Sequence, residues 1–200
     1  MAGCRTGRVC RCAIIKLLLE LEVQLQSHIF YVDGLGFHPR SEAKVNAATA
    51  IAELARQVRG ATIQSLAACP DEWLTWAPPG TSNHVLWHAG HALWLQDVLC
   101  LEPLTGRSKL PAGWAETFGM DCRPVKTTTQ WPGASTVETL LADQLRRIVA
   151  ALETTDDAVL GRIANPRGDT LAGRIIHGLH DEARHQGEMY LLMKLRRQQS

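Results

Sequence analysis

Apolar residues recur at helical spacing in four separate stretches of the chain, and no stretch shows the period-two alternation of a half-buried strand. The first stretch carries Val45, Ala48, Ile51, Ala52, Ala55 and Val58, with Ser41 as its expected N-cap, and is predicted to run to about Leu66. The second runs from His84 to about Leu101, with Ser82 just ahead of it. The third opens on Ser135, Thr136, Val137 and Glu138, a capping-box pattern in which serine and glutamate each satisfy an otherwise unpaired backbone N–H. Val137, Leu140, Leu141, Leu145, Ile148, Val149 and Leu152 supply its apolar face. The fourth starts after Asp169, its expected N-cap, and extends to about Arg196. Between the second and third, Pro103, Gly106, Pro111, Gly113, Gly119, Pro124 and Pro132 break any periodicity, so a long irregular connection is expected over one end of the helices. Four helices of this length predict an all-α four-helix bundle.

Residues 1–40 read as an N-terminal extension, helical from Ala13 to about Ile29, with Gly34–Pro39 separating it from a bundle domain over residues 41–200. Arg5, Arg8 and Arg11 precede an apolar run in the manner of a signal peptide, but Lys16, Glu20 and Glu22 interrupt it. No uncharged apolar run is long enough to span a membrane. A net charge of +1 without a basic cluster argues against nucleic acid as a partner. The cysteines (Cys4, Cys10, Cys12, Cys69, Cys100 and Cys122) form no C-x-x-C pair. Reduced thiols and a cytoplasmic location are therefore expected.

The candidate chemistry lies in the histidines. Six of the eight fall in two predicted helices, His84, His88 and His91 in the second and His177, His180 and His185 in the fourth. His84, His88 and His91 share a stripe that continues into Leu95 and Val98, so it is expected to point inward, beside a row formed by Trp87 and Trp94. On the fourth helix His177, Asp181, His185 and Glu188 share a stripe, with Ile175, Leu179, Ala183 and Tyr190 as a second, apolar surface. Buried imidazoles and carboxylates are costly unless they pair with each other or with a metal, so the two polar rows are expected to meet. Positions i and i+4 lie about 6 Å apart along a helix and can chelate together, whereas His177 and His185 are about 12 Å apart. The pair on the fourth helix is thus Asp181 with His185 or His177 with Asp181, completed by one histidine of the second helix. Two nitrogens and an oxygen suit zinc, nickel, manganese or iron. Glu182 and His185 also make an E-x-x-H match, but no second motif supports a di-iron centre.

The segment from Trp87 to Asp97 resembles the second-helix signature of DinB-like (YfiT-like) proteins, and the segment from His180 to Glu188 their last-helix signature. Pro111–Gly119 is similar to a loop in some members, and together the resemblance covers about residues 44–197. It implies a four-helix bundle, often a homodimer, with three histidines holding a divalent metal. Carried over by position, the ligands fall on His91, Asp181 and His185, with Asp181 standing where the common pattern has histidine. The resemblance further implies a metal-dependent enzyme acting on a small molecule, a hydrolase or a thiol-dependent transferase, with a low-molecular-weight thiol as possible cosubstrate. His88 and Glu188, beside these ligands, are the candidates for general base or for orienting a ligand. The competing expectation is a non-catalytic helical dimerisation or binding module with a degenerate metal site.

Overall fold

The computed structural model describes residues 46–120 and 130–199. The expected helix from Ala13 to Ile29, the Gly34–Pro39 break and the Ser41 cap lie outside the described residues. Helix α1 (Ala47–Ala67) is capped by Asn46, whose side chain accepts a hydrogen bond from the Thr49 N–H at 2.8 Å. Ala48, Ile51, Ala52, Ala55 and Leu66 are buried along one face, as the spacing requires.

Helix α2 (Val85–Gln96) is buried all round except at Trp94. Its cap is His84: the His84 Nδ1 accepts from the Trp87 N–H at 3.1 Å. The helix widens through a π turn at Asp97–Leu101 and continues as α3 (Glu102–Thr105), ending at Gly106 with φ 71°. Periodicity stops it near Leu101 because Pro103 lacks an N–H and crowds the carbonyl four residues back. That carbonyl belongs to Leu99, inside the widened turn, and the helix passes through the proline.

The long connection docks against the middle of α2, not only over an end of the bundle. In α4 (Trp114–Phe118) both aromatic side chains are buried, and the Trp114 indole donates to the Gly90 carbonyl at 3.0 Å. Phe118 lies so close to Gly90 that a Cβ there would sit 2.2 Å from its ring. Only glycine admits this approach.

Helix α5 (Ala134–Glu153) starts from Gly133 with no side-chain cap. The expected capping box does not form, because Ser135 already lies inside the first turn. Its buried face is Val137, Leu141, Gln144, Ile148 and Leu152. A short α6 (Asp157–Leu160) follows, which periodicity does not show. Helix α7 (Leu171–Arg197) is capped by Thr170, which accepts from the Gly173 N–H at 3.0 Å, and not by Asp169. Asp169 instead accepts from the Asn165 side chain at 2.7 Å and helps to close the preceding loop.

The described residues form an all-α fold, with one isolated bridge between Ile163 and Thr170 and no strand. The long helices α1, α2, α5 and α7 pack against one another as a four-helix bundle. Apolar packing falls into two clusters. One surrounds Trp87, Leu93, Phe118, Leu141 and Met189; the other surrounds Ile51, Leu101, Ile148, Leu160 and Ile175. The bundle also buries polar side chains. Arg59 and Glu182, both essentially inaccessible, approach to 2.8 Å, and the Thr62 hydroxyl donates to Glu182 at 2.9 Å. Gln144 donates to the Leu93 carbonyl at 2.8 Å. No helix among the described residues is long and apolar enough to cross a membrane.

Candidate metal centre

Helices α2 and α7 pack side by side, which brings one stripe of each together at the margin of the bundle. The α2 stripe is inward, with His84, His88 and His91 all buried. The α7 stripe is not. His177 and Glu188 are exposed, while Asp181 and His185 are half-buried. The second apolar surface expected on α7 is also redrawn: Ile175 and Leu179 are buried, but Ala183 is exposed and Tyr190 is 61% exposed. The inward positions are Gly178, Glu182, Met189 and Leu192 instead. Glu182 takes up Arg59 in the core, so the E-x-x-H match carries no ligand pair.

His185 stands at the hub. Its Nδ1 lies 2.9 Å from the His88 Nδ1 and 3.4 Å from Glu188 Oε2, and the His88 Nδ1 lies 3.2 Å from the same oxygen. Among the described residues these three form a group whose donor atoms converge as metal ligands do. The two imidazoles share a hydrogen bond, one ring donating to the other, and Glu188 stands within ion-pair distance of both. The circle through the three atoms has a radius of about 1.8 Å, shorter than a zinc–nitrogen or zinc–oxygen bond of about 2.0–2.2 Å. His88, His185 and Glu188 would hold a divalent ion between them.

The imidazoles are held in the form that ligation needs. Burial, then the neighbouring His185, His91 and His84, push His88 down to about 3. Burial likewise lowers His91 to about 4, against the opposing pull of its hydrogen bond to the Phe118 carbonyl. Both rings are neutral at neutral pH. The His91 Nδ1 sits 2.6 Å from the Phe118 oxygen, and a carbonyl only accepts, so Nδ1 carries the hydrogen and Nε2 is left as the acceptor.

His91 lies in the same cluster outside the group of three, with its Nε2 free to act as a donor atom. Its ring centre is 4.6 Å from that of His185, and it stacks on buried Trp87 at 4.7 Å. Trp87 is a core residue, whereas Trp94 is only partly buried against that core. A cavity of about 280 Å³ opens here, lined by Asn83, Trp87, His91, Met120, Asp181 and Arg184 together with His185 and Glu188. Asp181 lies on its wall and is paired with Arg184 at 3.0 Å. His177 opens onto a different cavity of about 840 Å³, which reaches Asp181 but neither His91 nor His185. The structure thus gathers His88, His91, Asp181, His185 and Glu188 and leaves His177 aside. The Phe118 carbonyl was not legible in the sequence, because a backbone group carries no residue signature.

The sequence model of the DinB superfamily matches residues 54–189, more than half of the chain. Among solved structures, that of a conserved protein from Enterococcus faecalis is similar at a TM-score of 0.52, with 18% identity over 74% of this chain and 95% of that one. A likeness at that identity speaks for the fold alone. No curated protein matches. With its helical architecture and the family match in agreement, the chain belongs to the DinB superfamily.

Proposed function

We propose that this protein is a divalent-metal-dependent enzyme acting on a small molecule, by hydrolysis or by thiol-dependent group transfer. The observation that carries the reading is the triangle of His88 Nδ1, His185 Nδ1 and Glu188 Oε2, whose edges of 2.9, 3.2 and 3.4 Å suit a cation. Two nitrogens and an oxygen suit zinc, nickel, manganese or iron. When bound, such an ion supplies Lewis acidity, which acidifies a water or a thiol and polarises a carbonyl. The chain's own residues do the rest. Trp87 and Phe118 hold the His91 ring, and its Nε2 accepts a hydrogen bond from a nucleophile in the cavity and orients it. Asp181, steadied by Arg184, faces the same space.

In this reading His88 and Glu188 are ligands and not acid–base groups, and His185 is common to both candidate ligand sets. A purely structural role for the cluster, fixing how the helices align, is the competing reading. Elemental analysis of protein purified without a histidine tag tests the proposal. One divalent ion per chain is expected, lost in His185→Ala and in His88→Gln but kept in Asp181→Asn. Loss in Asp181→Asn with retention in His88→Gln moves the ion to the set of His91, Asp181 and His185. No metal in the unaltered protein under replete conditions overturns the enzymatic reading.

A further inference from the structure

His88 and Glu188 face a second cavity, of about 560 Å³, toward the C-terminal end of α7. It is twice the volume of the polar cavity on the Asp181 side and falls within the size range of small-molecule sites. Its walls are of another kind. Leu191, Leu192 and Leu195 from α7 and Pro78 from the preceding loop are apolar, and the rest of that loop adds small polar residues such as Thr81 and Ser82. The only titratable side chains on its lining are His88 and Glu188 themselves. A molecule that reaches the triad from this side therefore meets titratable groups only at its head and the three leucines along its body. Leu191, 51% exposed, forms the open wall of this cavity.

We propose that this cavity binds the apolar portion, an alkyl or aryl group, of a substrate whose polar head meets the cation at His88, His185 and Glu188. The inference rests on the reading of that triad as a cation site. It makes the substrate an amphipathic small molecule, with its apolar body along Leu191, Leu192 and Leu195.

Calorimetric titration of the zinc-loaded full chain with acetohydroxamate and octanohydroxamate separates head from tail, because the two share one metal-binding group. Each fully buried methylene contributes about fourfold, so octanohydroxamate is expected to bind at least about 30-fold more tightly even with partial burial. Leu195→Asp and, as a loop variant away from the core, Thr81→Trp are each expected to cut that preference to less than about threefold while leaving acetohydroxamate affinity within about twofold. Equal binding of the two ligands, or a preference that survives both variants, overturns the cavity assignment while zinc binding stands. Failure of the unaltered chain to bind zinc and acetohydroxamate overturns the cation reading, and this inference with it.

Discussion

Glu182 and Glu188 sit less than two turns apart on α7, yet their surroundings are opposite. Glu182 is sealed in the bundle, where Arg59 and Thr62 occupy both of its oxygens at 2.8–3.0 Å. Its charge is matched and no solvent reaches it. Glu188 is about half exposed and reaches back to the imidazoles of His88 and His185. The first cluster is closed, with both carboxylate oxygens matched although the Arg59 Nη1 has no hydrogen-bond partner; the second is open. A polar pair matched within the core serves the fold, whereas an open group of ligating side chains beside a cavity is a place for a ligand. The same helix supplies both because its 3.6-residue repeat turns position 182 into the core and position 188 to the margin.

The contrast breaks most forcefully at the sealed pair. Glu182→Gln strands the Arg59 charge in the interior and is expected to cost about 3–5 kcal/mol in denaturant unfolding. Glu188→Gln, at the open cluster, is expected to cost less than about 1 kcal/mol in the metal-free protein. Comparable losses for the two would erase the distinction.

Acid sharpens it next. Burial lowers His84 to about 4, alongside His88 at about 3 and His91 at about 4, against the ordinary 6.5. Between these values the unfolded chain binds more protons than the folded one, so stability rises with pH across the window. The metal-free protein is therefore expected to lose stability steadily as pH falls from about 6.5 toward 4, and to show no such slope above 6.5. A flat profile through that window in urea titrations would mean that these rings are not buried as described.

The smallest effect isolates a histidine outside the triad. His84 caps α2, so His84→Ala is expected to cost about 1 kcal/mol, and His84→Asn, which retains a capping oxygen, distinctly less. Neither is expected to change metal affinity, and a variant that did would place His84 in the centre.

Periodicity located the four long helices, and the crowding of histidines on two of them marked the region of the site. The details that escaped have physical reasons. Caps fell away from their expected positions, at Gly133 and Thr170, because short polar residues abound near helix starts and only geometry selects one. The α4 contact depends on Gly90 admitting Phe118, a relation between residues 28 apart that no local pattern carries. Glu182 found Arg59 at a separation of 123 residues. Helical stripes state which residues share a face, but which neighbour meets that face is set by packing. Hence Glu188 and His88, legible as members of the cluster, were not legible as donors converging with His185.

Imidazole nitrogen resonances, recorded before and after one equivalent of zinc, test the convergence itself. The account predicts that the Nδ1 signals of His88 and His185 shift together, with both rings protonated on Nε2, while His91 keeps its hydrogen on Nδ1 against the Phe118 carbonyl. Zinc that leaves the His88 and His185 Nδ1 signals unmoved, or that moves Nε2 in their place, would contradict it.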